Sequence, residues 1–241
     1  MSVFDSATSG RTPVRTDRSN WNTLFILVRR DVLKTWRESA DLLYPIMFFV
    51  LVTILFPFAL SPETLVLRSF AGGLLWIAAL LAMSVSLENL FKTDYSSGAL
   101  EAIVLSGVSL LLVGLAKAIA NWVLSGLPII ILAIPLALSL GIDTFSLSIL
   151  LLSLTLGSAT ISLIGTSIGA LSVGLRSAGM LIIVLALPFF IPILIFGAVA
   201  TSNSQTGLIP EAELYFLAGL LVLTVTLTPW ATASAIRTRL G

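Results

Sequence analysis

Beyond residue 40 the polar positions become sparse, and the chain reads as a succession of apolar runs separated by single charges or short charged stretches. An ionised side chain at bilayer depth is costly without a partner, so charge-free runs of about 20 residues mark membrane spans. The first runs from Leu42 to about Leu60 and the second from Ser69 to Leu87. A charged stretch, Glu88 to Glu101, follows, and then two charge-free runs flank Lys117. Ala102–Ala116 is long enough only for an interfacial or re-entrant helix, so the third span falls within Ala118–Ile142. Thr144–Leu175, Ser177–Pro210 and Leu214–Ile236 predict spans four, five and six. The expected fold is an all-α integral membrane protein with six transmembrane helices in residues 41–241 and an internal loop at 88–117.

Ahead of the spans the pattern changes. Residues 1–20 are rich in Ser, Thr and Arg, lack the apolar core of a secretory signal, and read as a disordered tail. In residues 21–40, Trp21, Leu24, Phe25, Val28, Val32 and Trp36 share one helical face, with Arg30, Lys34 and Arg37 opposite. This predicts an N-terminal interfacial amphipathic helix, its tryptophans at headgroup level and its cations toward an anionic leaflet. An ordinary solvated amphipathic helix would carry the same pattern.

Composition narrows the chemistry. With 57% apolar residues, 10% charged ones and a mean hydropathy of +1.08, a soluble globule is excluded. The chain has no cysteine and no histidine, which removes disulfides, thiolate metal sites and the commonest metal ligand and general base. No Gly-x-x-x-x-Gly-Lys-Ser/Thr loop occurs, so ATP would have to be bound by a partner. No catalytic residue, no metal site and no nucleic-acid partner are expected. The span centres lack the ionisable groups that an ion-coupled transporter uses.

The net charge of +1 says little, but its distribution is informative. An inside N-terminus places Arg11, Arg15, Arg18, Arg29, Arg30, Lys34, Arg37, Lys92, Lys117, Arg176, Arg237 and Arg239 on the cytoplasmic side, leaving only Arg68 outside. The outer loops then carry Glu63, Asp143, Glu211 and Glu213. Both termini and the loop 88–117 are thereby expected in the cytoplasm.

Within that loop, Glu88, Asp94 and Glu101 accompany Lys92, and a solvated loop with a helical Glu88–Lys92 pair accounts for them. Ser97 can cap a short helix starting near Gly98, with Glu101 in its first turn. Such a helix is a lever for a soluble partner, or a turn between spans. In the fourth span Ser158, Ser162, Thr166, Ala170 and Gly174 recur at every fourth position beside Gly165 and Gly169, a spacing that lets helices approach closely. Pro128, Pro135, Pro188 and Pro192 can kink spans three and five. Met47, Met83 and Met180 could in principle ligate haem, but a lone Met in an apolar helix is ordinarily packing.

Several stretches together carry a specific resemblance. They are Tyr44-Pro45 through Phe49, Leu55-Phe56-Pro57, and Gly73-Leu74-Leu75-Trp76-Ile77-Ala78-Ala79-Leu80. Asp94 with Gly98-Ala99-Leu100-Glu101, Leu115-Ala116-Lys117, Asn121-Trp122, Gly126-Leu127-Pro128, and Leu227 through Ala233 follow in order. From Trp21 to Arg239 the chain resembles the haem exporter protein B family, the membrane subunits of the bacterial cytochrome c maturation ABC transporter.

That resemblance implies an ABC-2-type permease half in the bacterial inner membrane, paired with a second copy and with ABC ATPase subunits. It implies further partners: a haem-handling membrane protein, a small single-span subunit and a periplasmic haem chaperone. Haem is handled by the complex and ATP is bound by the partner, so no cofactor is expected on this chain itself. The ATPase-coupling segment falls on Asp94 to Leu105, with Asp94, Gly98, Leu100, Glu101 and Leu105 as its candidate residues. Ser106-Gly107-Val108 stand where family members tend to have prolines. A static membrane scaffold that only assembles haem-handling proteins is the competing reading.

Overall fold

The computed structural model describes residues 20–37, 39–59, 64–175 and 178–240. The tail 1–19, Glu63 and Arg176 lie outside these, as do the side chains of Arg37 and Met180. Among the described residues the regular structure is entirely helical. In chain order the helices are α1 (Asn20–Arg37), α2 (Ser39–Ala59), α3 (Thr64–Leu87), α4 (Lys92–Ser96), α5 (Ala99–Leu105), α6 (Leu110–Asn121), α7 (Leu127–Ser139), α8 (Thr144–Leu171), α9 (Ala178–Gln205) and α10 (Glu211–Leu240).

Among the described residues five stretches are long and apolar enough to cross a membrane: Arg68–Ser96, Leu110–Ser139, Thr144–Leu171, Leu181–Gln205 and Glu211–Arg239. The apolar part of α2, Leu42–Phe58, is shorter. The third crossing corrects the sequence-based division. Leu110 through Ser139 form one stretch with Lys117 inside it, so Ala102–Ala116 is not a separate re-entrant helix. The charge is tolerated about two turns into the helix because carboxylates reach it from neighbouring elements, as described below.

Residues Trp122–Gly126 form a π-helical turn that joins α6 to α7, with Leu127 N–H donating to Trp122 O. Pro128 has no N–H to return to Leu124, so the regular hydrogen-bond ladder cannot run through this point. Clearance matters here as well, since a Cβ on Gly126 would lie 2.7 Å from the Trp122 ring.

Helix α8 is the central post, packed by α3, α6, α9 and α10. Small residues permit that crowding. Trp76 of α3 is buried in a slot with Gly157 of α8 on one side and Gly197 of α9 on the other, where added Cβ atoms would come within 2.3 and 2.2 Å of the indole. Its Nε1–H donates to Ser153 Oγ at 3.3 Å. A Cβ on Gly165 would meet Leu87 at 2.4 Å, and one on Gly169 would meet Phe91 at 3.2 Å. Gly174 does not extend this stripe: α8 ends at Leu171, and Gly174 lies in the following turn at φ +78°.

The two ends of the bundle differ. At one, Asp143 caps α8 by accepting from Ser146 N–H at 3.1 Å, and Arg68 reaches the same carboxylate at 3.2 Å. The Ser146 backbone N–H in particular holds the Asp143 carboxyl below the usual carboxylate range. Asn203 and Glu213 pair nearby across the α9–α10 turn, at 2.7 Å. At the other end lie α1, α4, α5, the start of α6 and the C-termini of α8 and α10, where Arg239 donates twice to Leu171 O at the end of α8.

Candidate functional site

The second end holds a cluster of buried charge. On α1, Leu27, Arg30, Asp31 and Lys34 follow the i, i+3, i+4, i+7 spacing of one face, and that face turns into the bundle. Trp21, Phe25 and Trp36 face outward, more than two thirds exposed. The expected outward display of Arg30 and Lys34 is therefore corrected. Both cations point inward because a buried carboxylate waits there.

That carboxylate is Asp94 of α4, only 2% exposed. Lys34 Nζ donates to its Oδ1 at 2.5 Å, and Arg30 Nη2 approaches Oδ2 at 3.4 Å. Lys117 Nζ donates to Oδ2 as well. Lys117 is itself buried, donates also to Leu90 O at 3.1 Å and forms an ion pair with Asp31 Oδ2 at 3.4 Å, with its Nζ 5.4 Å from the Phe91 ring centre. Arg30 closes the cluster on Asp31, at 2.8 Å through Nε and 2.6 Å through Nη2. The expectation of a solvated Asp94 is thus overturned. A rim carboxylate needs no partner, whereas this one is shared by three cations from two other helices.

The neighbouring loop residues have separate places. Glu88 and Lys92 form the i,i+4 pair at 3.8 Å on the surface. Ser97 does not cap α5: its hydroxyl donates back to Thr93 O at 2.8 Å, closing α4. Gly98 precedes α5 at φ +70°, a left-handed turn that glycine adopts without a Cβ clash. On α5, Leu100 and Ile103 are buried against Phe91, Val113, Ala233 and Ile236. Glu101 and Leu105 point away from the bundle, and Leu105 is 87% exposed. Of the candidate coupling residues, then, Asp94 and Leu100 anchor the segment, Gly98 turns it, and Glu101 with Leu105 form its outer surface.

A polar seam continues from the cluster into the bundle. Ser86 Oγ lies 3.1 Å from Asn121 Oδ1 and 3.2 Å from Ser125 Oγ. Asn121 Nδ2 donates to Ser162 Oγ at 3.0 Å, and Trp122 Nε1 donates to Ser158 Oγ at 2.9 Å. Ser158 and Ser162 therefore face α6 and the π-helical turn. Among the described residues no group of His, Cys, Asp and Glu could hold a metal ion. Met83 is buried in the main core, whereas Met47 is exposed on α2.

Asp31 and Lys117 are the site residues that sequence reasoning missed. The available signals were an aspartate set between two cations at inward spacing, and a lone lysine in an otherwise uncharged stretch of about forty residues.

The family model described as CcmB protein matches residues 22–239. The chain is 41% identical over 220 residues to heme exporter protein B of Pseudomonas aeruginosa, covering 91% of this chain and 99% of that one. Against heme exporter protein B of Haemophilus influenzae it is 38% identical over 211 residues, 88% of this chain and 96% of the relative. The Escherichia coli K12 protein of the same name matches at 39% over 211 residues, with the same coverage.

Removing one member of a buried ion pair costs about 3–5 kcal/mol, because the charge left behind stays desolvated. Asp94→Asn leaves three cations against Asp31 alone and should lower the unfolding temperature of the detergent-solubilised chain accordingly. Adding Lys117→Met removes the stranded charge and should restore more than half of the loss. A double variant no more stable than Asp94→Asn would contradict this balance.

Proposed function

This chain belongs to the CcmB family, and from that premise we propose that it is the transmembrane permease subunit of an ABC transporter serving cytochrome c biogenesis. It is non-catalytic: ATP is hydrolysed by a partner ATPase, and this subunit carries the resulting movement to haem delivery or to release of a haem-loaded periplasmic chaperone. It works beside a second copy of itself, a haem-handling membrane protein and a small single-span subunit. It sits in the bacterial inner membrane, with α2 as the first of six spans, α1 along the cytoplasmic interface and both termini in the cytoplasm.

The observation that carries this reading is the division of labour within α4–α5. A segment that transmits force needs an outer surface for the partner and an inner face fixed to the moving helices. Glu101 and Leu105 offer the first. Leu100, Ile103 and the Asp94 carboxylate supply the second, tying the segment to α1, α6, α8 and α10. The preponderance of Lys and Arg at this end fits the cytoplasmic side. The absence of His and Cys leaves the chain without its strongest haem ligands, so haem iron is ligated elsewhere in the complex.

Glu101→Arg and Leu105→Asp change only the outer surface. In the assembled complex each is expected to weaken ATPase association about tenfold, the equivalent of 1.4 kcal/mol, and to abolish c-type cytochrome formation while the chain still inserts. Wild-type cytochrome yield in both variants would refute the coupling role and favour a static scaffold. For orientation, the cysteine-free background allows single thiols to be read cleanly in intact cells. Leu208→Cys should react with an impermeant reagent and Tyr95→Cys should not; the reverse pattern would invert the proposed topology.

A further inference from the structure

Between α1, the start of α2, α3 and the α6–π turn lies a pocket of about 90 Å³ beside the charge cluster. Its walls include Asp31, Lys34 and Thr35 of α1, Tyr44 of α2, Ser86 of α3, and Lys117 and Asn121 of α6, the Asp31 carboxylate being engaged by Arg30 and Lys117. Two features define what it can take. The first is charge: among the described residues Arg30, Lys34 and Lys117 are set against only Asp31 and Asp94, a cluster one negative charge short of neutrality. The second is donors. Lys117 donates to Asp94 and Leu90 O and is paired with Asp31, but Lys34 has one described partner, Asp94, and is a third exposed at the pocket.

Size and surroundings narrow the class. A cavity needs only about 10–15 Å³ of such volume to hold one water, so this pocket has room for a group the size of a phosphate. The pocket wall at Leu42, Tyr44 and Pro45 runs on into the outward side of α2, where Leu43, Met47, Phe48 and Leu51 are exposed and apolar. Trp36, 70% exposed, stands next to Thr35 on the other wall, and tryptophan suits the headgroup level. An anion entering here with hydrocarbon attached would therefore have an apolar track to lie on.

We propose that this pocket binds the phosphate of an anionic phospholipid headgroup, with Lys34 as its principal donor and the acyl chains lying along α2. The bound phosphate offsets the excess positive charge among the described residues and so joins α1 to α2, α3 and α6 at the membrane surface. This inference does not rest on the coupling role, although Lys34 serves both, since it also holds Asp94.

The test uses the full chain in detergent micelles with and without phosphatidylglycerol, read by native mass spectrometry and by the shift in unfolding temperature. The wild type should hold one phosphatidylglycerol per chain and gain stability from it. Lys34→Gln should cut occupancy at least fivefold, and Lys34→Arg should retain it. Thr35→Leu fills the pocket while leaving all five charged groups in place, and should cut occupancy at least as far. Equal occupancy in all four chains, or no bound phosphatidylglycerol on the wild type, would overturn the proposal. Stabilisation by inorganic phosphate in lipid-free micelles that depends on Lys34, with none from phosphatidylglycerol, would overturn the lipid as the source of the phosphate.

Discussion

A lysine set about two turns inside an apolar helix must be given a counter-charge, and much of one end of this bundle is arranged around that requirement. Lys117 cannot turn to water, so Asp94 must be carried to it by α4 and Asp31 by α1. Those carboxylates are themselves buried and draw in Arg30 and Lys34. The outcome is that a short helical segment, an N-terminal helix and a membrane-crossing helix are joined through charge as well as through the apolar cluster of Leu27, Leu100, Ile103, Leu110 and Val113. Buried charge of this kind gives register more readily than net stability, since any displacement strands an ion. Register is what the coupling role proposed for α4–α5 needs.

The rest of the bundle meets a different constraint, close helix approach without a hydrophobic driving force from lipid. Glycines on α8 and α9 make room for Trp76, Leu87 and Phe91, and serines on α8 accept from Asn121 and the indoles of Trp76 and Trp122. Interhelical hydrogen bonds and tight packing thus alternate along one post. The π-helical turn lies where these two regimes meet. It carries Trp122 and Ser125, one serving the packed seam and one the polar pocket, and its altered ladder is a natural point for α6 and α7 to move relative to each other.

Most of the helices were legible in the sequence because charge-free runs and membrane thickness are the same physical statement. Span four begins at Thr144 in both accounts, and the ends of spans two, five and six differ by a few residues. The failures share a cause: the sequence shows a charge but not its partner. Lys117 looks like a boundary in the sequence because its carboxylates lie 23 residues away in the loop and on a different helix altogether. The pattern alone turns Arg30 and Lys34 toward the leaflet and Asp94 toward water for the same reason. Ser97 was assigned to the following helix because a hydroxyl before a helix and one ending a turn look alike; its backbone geometry decided otherwise. The outer surface of α5 was legible only as a short acidic helix, since which of Leu100 and Leu105 faces the bundle depends on the turn at Gly98.

The central claim is that the cations of α1 hold α4–α5 in place through Asp94, across some sixty residues of chain. Amide hydrogen exchange on the full chain carrying both Arg30→Gln and Lys34→Gln measures this directly. The account predicts faster exchange throughout Lys92–Leu105, with the amides of α9 unchanged, because only the charge-held segment is released. Exchange in Lys92–Leu105 indistinguishable from the wild type would show that apolar packing alone fixes the segment, and would contradict it.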